Sequence, residues 1–370
     1  MTTVETRAAV LTRPGHPLEV DRLQLEEPRA GEILVAVEAA GICHSDLHYV
    51  DGALTAPLPL VPGHEGIGHV EAVGHGVDRV AAGDRVLFTW RPRCGECPAC
   101  LEGRPALCES GAVQARTGGL PDGTSRLRAG GQTVHHLMGV SCFAERCVVS
   151  ARAVVPIPED IPREVAAVLG CAVTTGVGAV LNRMPGVTGS DVLVIGAGGV
   201  GLSAVAGLRL AGAGRIAVAD PVASRLELAG DFGATDLLDV STTTLEQAAC
   251  RRGLRPARWV LDTVGSPTTL MSALASVSPG GTLVVTGLNA VGALGTYPIN
   301  RLVQQELQIV GSLYGSANPA LLVPQLIDHY RHGRLPLDRL VGHTYGLDEV
   351  NQAFDGLRRG AVGRSVLVLS

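Results

Sequence analysis

The densest chemistry in this chain is C-x2-C-x2-C-x7-C at Cys94, Cys97, Cys100 and Cys108. Four thiolates this close can surround one tetrahedral cation and leave no open position, which is how structural zinc is held. An iron–sulfur cluster is the chemical competitor, since tightly spaced cysteines also bind those. Two disulfides are the remaining alternative. The amino terminus, with Glu5, Arg7 and Arg13 and no apolar run, does not resemble a secretion signal, which argues against them.

A second set is scattered. Cys43 follows Gly41, His64 sits in G-H-E, and Cys171 lies in G-C-A-V-T-T-G. Singly, each has an ordinary explanation, because a lone cysteine is usually a small core residue. Together, two thiolates and an imidazole make a three-ligand zinc site whose fourth position is left for water or substrate.

A third feature is the run V-L-V-I-G-A-G-G-V-G, which sets Gly196, Gly198 and Gly201 at G-x-G-x-x-G spacing, with Gly199 and Val200 inside the turn. The triplet alone is weak. Here an apolar strand leads in, a small-residue helix (Val200–Leu210) follows, and a second strand, Ile216–Ala219, ends at Asp220. Such a turn lets a helix amino terminus hold a pyrophosphate, and a carboxylate at this distance bonds the adenosine ribose. Asp220 would repel a 2′-phosphate, so NAD is favoured over NADP, although Arg225 lies where an Arg could meet that phosphate.

These residues need a scaffold, and 370 residues is about two domains of chain. Hydrophobic residues at 46% and charged residues at 18% describe a globular protein with ample core. The net charge of −5 and 3% aromatics favour neither nucleic acid nor an anionic membrane. All 30 cationic residues are Arg, which excludes a lysine Schiff base and a P-loop lysine. Nine cysteines without a secretion signal point to a reducing, cytoplasmic setting.

Short strands fill the first 160 residues: Ala8–Leu11, Leu18–Leu25, Glu32–Ala40, Gly66–Val73 and Arg85–Phe88. From Asp191 the rhythm becomes strand–helix, with strands at Val192–Ile195, Ile216–Ala219, Trp259–Asp262 and Thr282–Thr286, the pattern of a parallel sheet. Helical patterns follow at Ala320–Tyr330 and Asp348–Arg358, then an apolar strand, Ser365–Leu369, that needs a partner in the β-rich part. The uncharged, glycine-dense stretches 165–182 and 192–208 read as buried elements and not as membrane spans.

Over essentially its whole length the chain resembles the zinc-dependent medium-chain alcohol dehydrogenases. The matching motifs are G-I-C-H-S-D (Gly41–Asp46), G-H-E-G-I-G (Gly63–Gly68), the four-cysteine lobe, G-C-A-V-T-T-G (Gly170–Gly176) and the glycine-rich turn. The segment after Cys108, with D-G-T-S-R (Asp122–Arg126) and H-H-L-M-G (His135–Gly139), is similar to the branch holding the liver-type and glutathione-dependent formaldehyde enzymes.

The resemblance implies an α/β protein: a GroES-like, β-rich catalytic domain (residues 1–172 and 313–370, structural zinc lobe about 91–110) and a Rossmann domain, doubly wound on a parallel sheet (173–312). The substrate cleft is expected at their junction. It assigns Cys43, His64 and Cys171 to catalytic zinc, with Glu65 behind it, and Ser45 and His48 to a proton relay. It places Thr175, Arg225 and Arg364 on NAD, and His44 where a pyrophosphate-binding Arg is common. It puts Leu54, Trp90, Leu137 and Met138 along the substrate channel.

The expected activity is hydride exchange between NAD and a hydrophobic primary alcohol, aromatic or allylic, and its aldehyde. Two zinc ions per subunit and a homodimer go with it. Ala112, where glutathione-using members carry an Arg, and the missing acidic partner near Leu54 disfavour glutathione adducts. Three rival readings stand beside this one: reduction of C=C or C=N bonds on the same scaffold, NAD held permanently and recycled by a second substrate, and a non-catalytic zinc and dinucleotide sensor.

Overall fold

The computed structural model describes residues 3–369, with the side chains of residues 112–115 outside the description. Contacts divide the chain into two units: Met1–Cys171, Asn318–Ile327 and Val341–Ser370 form the first, and Ala172–Ala317 and Asp328–Leu340 the second. Residues 328–340 thus group with the dinucleotide half, where Arg339 pairs with Asp231 at 2.9 Å.

The first unit is built from β1 (Thr3–Val10), β2 (Glu19–Glu26), β3 (Glu32–Gly41), β4 (Leu60–Val61), β5 (Gly66–Val73), β6 (Arg85–Phe88), β7 (Leu127–Ala129), β8 (Gln132–His136), β9 (Arg146–Ser150) and β10 (Val154–Pro156). One sheet runs β1-β2-β7-β8-β4. Alternation along β3 explains the two cores. Ile33, Val35 and Val37 face one cluster with Phe88, Phe143 and Phe354, whereas Leu34 faces another with Leu23, Leu25 and Val134.

The second unit carries six parallel strands, β11 (Val192–Ile195), β12 (Ile216–Asp220), β13 (Asp236–Asp239), β14 (Ala257–Asp262), β15 (Val277–Val285) and β16 (Gln308–Gly311), in the order β13-β12-β11-β14-β15-β16. This is the doubly wound order, with its switch point between β11 and β14. The last strands, β17 (Val341–Tyr345) and β18 (Arg364–Val368), belong to the first unit. There β18 lies antiparallel to β3, Val366 opposite Gly41, in the larger sheet β10-β6-β5-β3-β18-β17. The terminal apolar strand therefore has the partner its composition demands.

The first uncharged stretch lies in the helix Arg163–Arg183, and the second comprises β11 and most of the helix Gly199–Leu210. The most apolar window of the longer helix is 89% buried. Two features depart from the sequence pattern. β15 starts at Val277, not Thr282, because the Ser278–Gly281 stretch is absorbed as an irregularity in register against β14. And the stretch read only as a buried element is the helix Arg163–Arg183, interrupted by a π turn over Leu169–Val173.

Candidate metal and dinucleotide sites

Three elements of the first unit bring the scattered ligands together. Cys43 follows β3 and caps the helix His44–Val50; His64 stands in the connection from β4 to β5; Cys171 sits in the π turn. All three are buried, and their ligand atoms lie within 4.8 Å of one another. Two sulfurs on one tetrahedral zinc at about 2.3 Å are about 3.8 Å apart, so the donor set fits the ion, with one position to spare.

A residue to which the sequence reading gave no role orients the imidazole. Asp46 is fully buried and takes the His64 Nδ1–H at 2.9 Å, the Gly63 N–H at 3.1 Å and the Cys43 N–H at 3.3 Å. With Nδ1 donating, Nε2 is the ring atom left for a metal. Its position inside G-I-C-H-S-D, three residues after a ligand, was the available signal.

Glu65 and Arg364 form the floor. Arg364 Nε lies 2.8 Å from Glu65 Oε1, an ion pair rather than an aligned hydrogen bond, while Nη2 reaches Glu65 Oε2 at 3.3 Å and the Cys43 sulfur at 3.4 Å. β18 delivers this buried guanidinium beside the end of β3. Burial pushes the Glu65 carboxyl up to about 7, although Arg364 pulls the other way.

The ligands themselves are electrostatically coupled. Hydrogen bonding from Cys171, helped by Arg364 and His64, holds Cys43 well below the usual thiol range, and the same bond raises Cys171. Burial opposes charge on His64, but Asp46 and Cys43 more than offset it and raise the imidazole. A metal-free pocket of this kind retains protons that a cation would displace.

Around this centre, Ser45 and His48 are half-buried on the helix His44–Val50, and His44 is exposed. The Ser45 N–H points at the Cys43 sulfur at 3.4 Å. Trp90 meets the His64 ring edge-on, centroids 6.2 Å apart. Met138 is half-buried in a left-handed conformation (φ 51°), Leu54 is half-buried, and Leu137 is packed into the core. The reading of Ala112 lies outside the described side chains.

The four lobe cysteines also have their sulfurs within 4.8 Å of one another. Backbone amides arrange them, Cys94 N–H to Cys108 Sγ at 3.3 Å and Cys97 N–H to Cys94 Sγ at 3.2 Å. Amides of Glu96 and Cys97 bring Cys94 down to about 6, whereas desolvation takes Cys100 up to about 12. Four thiols without a vacancy fit structural zinc.

In the second unit, the glycine-rich turn has the shape a dinucleotide needs. A Cβ on Gly201 would lie 1.9 Å from the Gly196 carbonyl oxygen, so only glycine closes the turn, while nothing lies within 4 Å of one on Gly198. That open space is at the amino terminus of the helix Gly199–Leu210, which the Val200 position belongs to. Asp220 is buried and accepts the Ala197 and Val222 amides at 2.8 and 2.9 Å, one on each oxygen, leaving lone pairs for a ribose. Thr175 is buried and Arg225 half-buried. Thr263, not singled out from sequence, braces the turn through its hydroxyl to the Ile195 carbonyl at 2.9 Å.

Comparison with known proteins agrees with this geometry. The family described as alcohol dehydrogenase GroES-like domain matches residues 29–159, and that described as zinc-binding dehydrogenase matches residues 199–329. An NDMA-dependent alcohol dehydrogenase of Amycolatopsis methanolica is 38% identical over 371 residues, covering 99% of this chain and 100% of the relative. An S-(hydroxymethyl)glutathione dehydrogenase of Paracoccus denitrificans is 35% identical, again over 99% and 100%. The crystal structure of benzyl alcohol dehydrogenase from Acinetobacter calcoaceticus superposes with a TM-score of 0.92 at 32% identity, over 99% of this chain and 100% of that one. With its GroES-like and Rossmann units and its two converging ligand sets, the chain belongs to the zinc-dependent medium-chain alcohol dehydrogenase family.

Proposed function

We propose that this alcohol dehydrogenase uses NAD and zinc to interconvert a hydrophobic primary alcohol, aromatic or allylic, and its aldehyde. The observation that carries the reading is the buried set Cys43, His64 and Cys171, three donors for an ion that takes four. When bound, zinc supplies Lewis acidity to a hydroxyl and NAD supplies the hydride acceptor.

The chain's own residues do the rest. Cys43, His64 and Cys171 hold the catalytic ion, and Asp46 keeps the His64 ring in one tautomer. Ser45 and His48, half-buried on the helix that Cys43 caps, carry the alcohol proton outward. Trp90, Leu54, Leu137 and Met138 exclude water and favour an apolar substrate. Gly196 to Gly201, Thr175, His44, Arg225 and Arg364 are the NAD contacts, and Asp220 selects NAD over NADP. Cys94, Cys97, Cys100 and Cys108 hold a second, structural zinc. Ala112 in place of an Arg weighs against glutathione adducts.

Benzyl alcohol oxidation with NAD, measured before and after zinc chelation, tests the proposal. Cys43→Ser should abolish turnover and leave NADH affinity intact, whereas Cys94→Ser should chiefly impair folding. Both variants remaining fully active would overturn the metal assignments.

One observation favours a second reading, in which NAD stays bound and a second substrate recycles it: a relative at 38% identity is named NDMA-dependent. Nicotinamide absorbance in the freshly purified protein that resists dialysis would decide for it. A cytoplasmic homodimer completes the proposal. The nine free cysteines support a reducing compartment. Val291, Leu294, Ile299 and Val303, each more than two-thirds exposed, support a partner subunit, which sedimentation would detect.

A further inference from the structure

Asp262 closes β14 beside the switch point of the parallel sheet, and it is fully buried. Burying a carboxylate is costly unless hydrogen bonds satisfy it. Here Oδ1 accepts the Val264 N–H at 2.9 Å and the Gly265 N–H at 3.0 Å, and Oδ2 accepts the Thr269 hydroxyl at 3.0 Å. The backbone carbonyl of the same residue takes the Thr286 N–H at 2.9 Å and the Gly287 N–H at 3.2 Å, just past the end of β15. One residue thus folds the loop that follows its own strand and ties it to the next. Sealed inside the unit, the carboxylate can act only through the chain it holds.

That chain leads to the glycine-rich turn in close steps. Thr263 lies between Asp262 and the two held amides. It donates its N–H to the Ile195 carbonyl at 3.0 Å and its hydroxyl to the same oxygen at 2.9 Å, with the Gly196 carbonyl at 3.3 Å. A Cβ on Gly196, where φ is 95°, would stand 2.6 Å from Thr263 Oγ1 and 2.9 Å from Val264 Cγ2. Gly196 in turn presses its carbonyl against Gly201, where a Cβ would lie 1.9 Å away. No step leaves room for a methyl group, so a shift of residues 263–264 is passed on to the turn and not absorbed. All of these residues belong to the second unit.

We infer that Asp262 is a positioning residue for the dinucleotide site, its carboxylate seating Thr263 and Val264 on Gly196 so that the turn keeps its shape for a pyrophosphate. Removing the carboxylate orphans two amides behind the turn. Each must then find another acceptor, and the backbone rotation that does so lifts Thr263 off the Ile195 and Gly196 carbonyls. The inference rests on the dinucleotide reading proposed above.

The test titrates the full-length protein, stripped of any bound nucleotide, with NADH by nicotinamide fluorescence, once circular dichroism has shown each variant folded. Asp262→Ala removes the carboxylate, and with two amides orphaned NADH affinity should fall at least about tenfold. Thr263→Val keeps the shape and loses only the hydroxyl, for which a fall of at least about threefold is expected. A merely structural role would lower stability in both variants and leave their effects on affinity independent, to multiply in the double variant. Because Asp262 acts through Thr263, the double variant should instead bind NADH within about twofold of Asp262→Ala alone. A folded Asp262→Ala protein with parental NADH affinity would overturn the inference, and so would losses that multiply. If Asp262→Ala does not fold, Asp262→Asn decides alone. Its neutral oxygen holds the amides more weakly, for an expected loss of about threefold, and parental affinity would overturn the inference equally. A parent protein that binds no NADH would sink the dinucleotide reading underneath.

Discussion

Replacing Asp46 by Asn isolates the contribution of charge behind the metal ligand. The carboxylate is fully buried and serves three donors, the His64 ring at 2.9 Å and the Gly63 and Cys43 amides at 3.1 and 3.3 Å. Asn preserves the shape but offers one acceptor oxygen, so its NH2 group must face one of these donors. A hydrogen bond to a charged group contributes about 1.5–3 kcal/mol against about 1 for a neutral one, and an unsatisfied buried donor costs about 1–3 more. Part of that cost falls on folding and part on the metal. Partners behind a ligand typically account for about 10–100-fold in metal affinity, or about 1.4–2.7 kcal/mol. We therefore expect Asp46→Asn to weaken catalytic zinc by that factor, read by chelator competition with metal quantification. The zinc proposed for the four-thiol lobe, elsewhere in the sequence, is the internal control. A variant with a lowered melting temperature but catalytic zinc affinity within about twofold of the parent would refute the argument, leaving Asp46 as a helix cap only.

Gly198→Ala places its methyl group where no protein atom lies within 4 Å, so stability should change by less than about 0.5 kcal/mol while NADH affinity falls at least about tenfold; fluorescence titration checks it, and undiminished affinity would exclude this turn as the coenzyme cradle. Burial, reinforced by the Arg126 charge, depresses the His136 imidazole to about 3, so between pH 6.5 and 3 the unfolded chain binds the extra proton. Stability from this group is therefore lost as pH falls, by about 2 kcal/mol from 6.5 to 5, and His136→Gln should flatten the melting-temperature profile over that window. Equal slopes for the two proteins would contradict this. Arg126, wholly buried, binds Glu32 through Nε at 2.9 Å and Asp122 through Nη2 at 2.7 Å. Arg126→Leu strands the Glu32 carboxylate and should cost about 3–5 kcal/mol in urea unfolding, whereas a loss under about 1 would show that water replaces the guanidinium.

Local features were readable without coordinates because chain reach limits them. Cys94 to Cys108 cannot stray far from one another, so their spacing already implied a closed four-thiol site. The same holds for the Gly196–Gly201 turn, flanked by β11 and its helix, and for the alternation of β3. Even β18 was legible, since a strand of buried Ser365, Val366 and Leu367 has to pair with something. The irregular pieces were not. The strand read from Thr282 onward begins at Val277, with Pro279, Gly280 and Gly281 as a register irregularity inside β15, and the stretch 165–182, read only as a buried element, gave no sign of its π turn.

Residue types and short spacings by themselves determined which chemistry the chain can perform: thiols and an imidazole for zinc, a glycine turn and a carboxylate for a dinucleotide. Which of them meet was decided by packing. Cys142 and Cys147 are as buried as Cys43 and Cys171, and burial alone does not separate a core thiol from a ligand. Only the folded sheet sets the end of β3 beside the β4–β5 connection and the π turn, puts Asp46 under the His64 ring, and closes Arg364 onto Glu65. Those contacts join residues far apart in sequence, so their geometry is a property of the whole packed unit and of no segment within it.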